Sequence, residues 1–201
     1  MARLKGTKIL PVALTLIIVA IVFATLVTII RVAFFSSSDN SNLAEISAGR
    51  DDLVDSSAGR SVQMVVRGNI VGDENFRSYK IVITPNSRTV TKKIGYLGDS
   101  KILFNDVNNI QAYEQFVNAL DKANLMNGAE FTGDKDDMRG ICATGRVYDF
   151  IISDYNQVKK HLWTSTCAGS PGSLTANLQQ VYNLFTAQIP DSKSIIDKIW
   201  L

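Results

Sequence analysis

Residues 61–104 read SVQMVVRGNIVGDENFRSYKIVITPNSRTVTKKIGYLGDSKILF. Val62, Met64 and Val66 fall on alternate positions, and so do Tyr79, Ile81 and Ile83. A period of two marks a strand with one buried face, because successive side chains of an extended chain point to opposite sides. Gly72-Asp73-Glu74-Asn75, Pro85-Asn86-Ser87 and Gly98-Asp99-Ser100 interrupt the alternation with residues suited to turns. The pattern predicts four strands, over 61–71, 76–84, 88–97 and 101–104, joined as an antiparallel meander.

Toward the C-terminus the period changes. Tyr113, Phe116, Val117, Leu120 and Asn124 recur at three- and four-residue spacing. This predicts a helix over 110–126 that lays its aromatic stripe on the sheet. Asn108 is placed to cap it with Gln111, and Asn127-Gly128 to stop it. Residues 141–153 and 158–167 read as a hairpin turning at Asp154-Tyr155-Asn156-Gln157. A second helix is expected from Ser173, with Leu174, Leu178, Val181, Leu184 and Phe185 on one face and Pro190 ending it. Asp191 then heads a short helix carrying Ile195, Ile196, Ile199 and Trp200. The order is β-β-β-β-α-β-β-α. It predicts an α+β domain of about six antiparallel strands, with helices packed on one face.

Cys142 and Cys167 are the only two cysteines and flank that hairpin turn symmetrically. In register they would face each other, near enough for a disulfide. The bond would close a loop of 24 intervening residues and belongs to an oxidising compartment.

Toward the N-terminus the sequence supplies a reason for such a compartment. Residues 9–30 read ILPVALTLIIVAIVFATLVTII, 22 residues without a charge. As a helix the run is about 33 Å long, against a hydrocarbon core of about 30 Å. Pro11 sits in its first turn, where a missing N–H costs least. Arg3, Lys5 and Lys8 precede the run, which predicts a cytoplasmic N-terminus and an exported remainder. Phe34-Phe35 after it is a poor cleavage site, so the span is expected to stay as a signal anchor. Ala20, Ala24 and Thr28 form a small-residue face along which helices can approach, a route to a homo-oligomer. Residues 36–60 carry five acids, two arginines and few large apolar side chains. They are expected to form a flexible or transiently helical tether. Within it Ser-Ala-Gly-Arg occurs at 47–50 and again at 57–60. The expected organisation is a basic N-terminus over 1–8, a transmembrane anchor with flanks over 9–35, a tether over 36–60 and an exported α+β domain over 61–201.

Chemistry is harder to find. The only histidine is His161, in Lys159-Lys160-His161-Leu162-Trp163. A hydrolase would pair it with a serine and with Asp149 or Asp154, but no Gly-x-Ser-x-Gly elbow is present. A solvated strand-face histidine is the expectation. Asp134-Lys135-Asp136-Asp137 lacks the alternating ligands of a calcium loop and reads as a solvated turn. The two cysteines and one histidine fall short of a zinc set, and no cofactor fingerprint occurs. The domain from Ser61 carries a net charge of +1, which argues against nucleic acid as a partner. Lys92-Lys93 and Lys159-Lys160 could meet anionic polymers and are equally expected as charges guarding strand edges.

The layout resembles type IV pilins in one respect, a single N-terminal helix before an α+β domain. Their basic leader ending in Gly, and the Glu inside their apolar run, have no counterpart here beyond Gly6. The expected function is therefore a single-pass membrane-anchored extracytoplasmic domain that binds another envelope protein or a surface ligand without catalysis. The alternatives are a structural subunit of an envelope assembly (secretion, pilus or division machinery) and, less favoured, an anchored hydrolase using His161.

Overall fold

A computed structural model describes residues 49–199 and 201, all within the unit Ile46–Leu201. The predicted span 9–30 and its packing face Ala20, Ala24 and Thr28 lie outside the described residues. So does Trp200. Among the described residues no helix is long and apolar enough to cross a membrane.

The protein has an α+β fold built on one six-stranded antiparallel sheet. Its strands are β1 (Arg60–Arg67), β2 (Arg77–Ile83), β3 (Ser87–Ile94), β4 (Ser100–Val107), β5 (Val147–Asp154) and β6 (Gln157–Ser165). They lie in the order β4-β3-β2-β1-β5-β6. The first four make the meander that the alternation predicts. The β5–β6 hairpin then adds to the free side of β1, with Met64 opposite Phe150. Helix α1 (Ile110–Lys122) carries the chain from one side of the sheet toward the other; α2 (Leu178–Ala187) and α3 (Ser192–Asp197) follow β6.

One face of the sheet holds the main core. Val62, Met64, Val66, Tyr79, Ile81, Ile83, Val90, Phe150, Ile152 and Leu162 form a single buried cluster with Tyr113, Phe116, Val117 and Leu120 of α1 and Val181 and Phe185 of α2. Phe185 anchors it, edge-on to Phe116 at 5.2 Å and tilted against Phe150 at 5.9 Å between ring centres. The helices therefore cover one face, and the strand periods of two and the helix stripes meet there.

The boundaries differ from expectation for local reasons. Asn109, not Asn108, caps α1 by accepting from the Ala112 N–H at 2.9 Å, while Asn108 donates to the Thr84 carbonyl at 2.7 Å. The helix ends at Lys122 because Asn124 adopts a left-handed backbone, and Leu125–Asn127 continue as a 3-10 turn. Residues 173–177 do not start α2. Leu174 N–H donates to the Trp163 carbonyl and Ser173 Oγ accepts from the Trp163 N–H, so this segment runs along β6. The helix starts at Leu178, capped by Asn177.

The tether reading differs over residues 49–60. Residues 49–54 are helical and Leu53 is fully buried in the main core. Arg60, the first residue of β1, pairs with Asp52 at 3.0 Å and Asp55 at 2.8 Å. Large apolar residues are too few here to form a core of their own, but Leu53 borrows the one that the sheet supplies.

Candidate functional site

The opposite face of the sheet carries the side chains that alternate with the core: Gln63, Val65 and Arg67 on β1, Ser78 and Lys80 on β2, Thr91 and Lys93 on β3, and Asp149 on β5. No helix covers it among the described residues. Instead the connection from α1 to β5, residues 128–146, crosses its β5–β6 end as a strap.

The strap is fastened at several points. Cys142 and Cys167 form a disulfide with Cα atoms 5.3 Å apart. Its position differs from the one the hairpin symmetry implies. Strand β5 starts only at Val147, so Cys142 lies in the strap, in a left-handed conformation, and Cys167 just past the end of β6. The hairpin itself turns at Tyr155-Asn156, both at positive φ, with Asp154 opposite Gln157. A bulge beside Ser153 shifts its register. The bond is thus a staple from loop to strand end rather than a rung of the ladder. Phe131 stands edge-on to Trp163 at 5.9 Å. Val147 and Trp163 are buried with Cys142 in a second small core, and Ile141 and Met138 pack on it. The Ile70 N–H donates to Ala143 O at 2.9 Å, tying the strap to the β1–β2 loop.

His161 is part of this fastening. Its Nδ1 lies 3.6 Å from Asp136 of the strap and its Nε2 3.6 Å from Asp149 on β5; at that range these are charge contacts. Glu130 accepts from the His161 backbone N–H. The Asp149 carboxylate, the leading influence, raises the His161 pKa above its ordinary value. Burial pulls the other way and Asp136 adds to the rise. Asp149 is itself buried and pairs with Arg67, whose Nε lies 3.3 Å away. The solvated histidine expected from the sequence is a half-buried link in an Arg67–Asp149–His161–Asp136 chain. Both ring nitrogens face carboxylates, whereas a triad histidine needs one of them on a nucleophile.

Of the acidic loop, Asp136 serves this chain and Asp137 holds Arg139 at 2.6 Å. The Arg139 guanidinium, with its backbone N–H, lowers the Asp137 pKa to about 2. Among the described residues no cluster of three metal-ligating side chains forms.

Beside the strap lies a groove of about 550 Å³. Its floor includes Val65, Arg67 and Ser78, and Met138, Arg139 and Ile141 of the strap form one wall. On the far side Phe76 and Tyr96 stack at 4.1 Å between ring centres. Tyr96 is held in place because its hydroxyl donates to Val71 O at 2.9 Å and its N–H donates to Asp73 at 2.7 Å. A smaller hollow of about 190 Å³ adjoins it and shares Val65, Ser78 and Lys93. His161 lines neither. The register explains the polar floor: Arg67 is opposite Ser78, and Ser78 opposite Lys93, in one row across three strands. Sequence reasoning identified the two cysteines and the histidine but missed this row. Nothing local marks Arg67 or Ser78, Lys93 reads either as an edge charge or as a contact for anionic polymers, and only pairing brings the three together, with β3 inside the sheet rather than at its edge.

No protein-family profile and no curated protein matches the chain.

Proposed function

We propose that the chain is a single-pass membrane-anchored extracytoplasmic binding domain without catalysis. Residues 9–30 provide the anchor, and the sheet with its strap provides recognition of another envelope protein or a surface ligand. The observation that carries this reading is the groove walled by a disulfide-pinned strap. Its wall depends on a bond that persists in oxidising compartments. Apolar walls with a few fixed polar groups are the usual make-up of a binding cleft.

The test is photocrosslinking in intact membranes, with a photoreactive residue in place of Tyr96. The expected result is a discrete adduct that is absent when the residue replaces Gln179 on the outer side of α2. Equal, diffuse labelling from both positions would contradict the reading.

The alternative, a structural subunit of an envelope assembly, is favoured by one feature. The edge strand β4 is exposed along most of its length, with Ile102 and Val107 largely in solvent. Open edges can accept a further strand. In that case Ile102→Lys would abolish assembly in crosslinked membranes and leave the Tyr96 adduct intact.

A further inference from the structure

The charges in the groove point to a class of ligand. Three cations, Arg67, Lys93 and Arg139, line it and no carboxylate does. Two of the three are already matched, Arg67 by Asp149 and Arg139 by Asp137. Lys93 makes no ion pair among the described residues. Neither does Lys80, which lies diagonally beside it on the same face, since Lys80 is opposite Thr91 and Lys93 opposite Ser78. Two like charges on neighbouring strands repel at that spacing, and a bound anion would relieve the repulsion. Ser78 stands between Arg67 and Lys93. It is only 7% exposed, lines both hollows, and its hydroxyl makes no hydrogen bond among the described residues. The Arg67 guanidinium is turned across β1 to Asp149 on β5, with its Nε 3.3 Å from that carboxylate, so the unmatched positive charge near Ser78 is that of Lys93 and Lys80. The remaining walls are apolar: Ile70 and the Phe76–Tyr96 stack on one side, Met138 and Ile141 on the other.

We propose that the groove binds an anionic amphiphile. Its carboxylate or phosphate head sits over Ser78 beside Lys93 and Lys80, and its apolar body lies between the Phe76–Tyr96 stack and the strap. The proposal rests on the reading of this groove as a binding site and adds the ligand's chemistry. Lys93 and Lys80 supply the unmatched charge and Ser78 a donor. The head can belong to a free amphiphilic acid or to an anionic lipid.

The test uses the full chain in phosphatidylcholine nanodiscs, titrated calorimetrically with decanoate and with decyl phosphate. Empty nanodiscs serve as the blank for partitioning. One saturable site is expected. Lys93→Glu should weaken it at least about tenfold and Ser78→Ala less, and added salt should weaken it further. Decanol and inorganic phosphate, each holding half of the chemistry, should bind at least about tenfold less tightly. The Arg67 side chain is left unchanged because its loss would strand the buried Asp149. Melting curves and the intact disulfide of each variant establish that it is folded. Replacing phosphatidylcholine with phosphatidylglycerol separates the sources. Competition from the anionic bilayer identifies a lipid head, and unchanged decanoate affinity identifies a free acid; both support the anion site. No saturable binding, or equal binding by wild type and Lys93→Glu, overturns the proposal. If that happens while the Tyr96 adduct persists in membranes, the binding-domain reading stands and only the ligand class falls.

Discussion

His161 shows how one titrating side chain is used as a fastener. Its pKa is raised by Asp149 and Asp136, so the folded state holds the proton more tightly than the unfolded chain. The stabilisation is fully present below the unfolded pKa, about 6.5. It is lost as the pH rises through the higher folded value. Amide exchange in the strap is therefore expected to be slower at pH 5.5 than at pH 8, after correction for intrinsic rates. His161→Gln should flatten that dependence, and an unchanged pH profile in the variant would refute the link. Arg60 plays a comparable part on the other side of the molecule, bridging Asp52 and Asp55 with a side chain only 10% exposed. Arg60→Ala should cost about 1–3 kcal/mol in urea denaturation, in line with charge-assisted bonds of limited exposure. A loss indistinguishable from zero would mean that the bridge holds nothing.

At the scale of elements, the strap and the helical turn before β1 are the parts that the sequence left unread. Alternation made the strands legible, because Tyr79-x-Ile81-x-Ile83 has one plausible buried face. Spacing made α1 legible, since Tyr113, Phe116, Val117 and Leu120 share one stripe. A strap has neither period. Its order comes from contacts with residues far along the chain, such as Phe131 on Trp163 and Cys142 on Cys167. Cysteine count and topology did predict the bond, yet for a paired position that Cys142 does not occupy. Replacing both cysteines by serine should lower stability by about 3 kcal/mol, the expected effect of freeing a loop of this length. It should also raise exchange selectively over residues 128–146; uniform loosening of the whole sheet would contradict the staple role. Leu53 gives the corresponding test for the segment before the sheet. Leu53→Ala should cost about 2–5 kcal/mol, as for other fully buried leucines. A surface-like value below about 0.5 kcal/mol would return residues 49–60 to the tether.

Across the whole molecule, the two faces of the sheet have separate tasks. One is sealed by α1 and α2 around Phe185 and supplies the stability. The other is left to a strap, a groove and a row of polar side chains. That division was half legible. The core face follows from local periods within single strands. The groove follows from pairing between strands, and Arg67, Ser78 and Lys93 are separated by enough chain that no local pattern connects them. On the proposal that residues 9–30 anchor an exported domain, Cys142 and Cys167 lie where such a bond persists.

On the proposed function the domain works outside the cytoplasm with its strap stapled. The decisive experiment traps thiols in intact cells with acid and alkylating reagent, isolates membranes, and reads the cysteine peptides by non-reducing mass spectrometry. The expected outcome is a chain recovered in the membrane fraction, with Cys142 and Cys167 joined and neither alkylated. A chain recovered with both cysteines alkylated would contradict it.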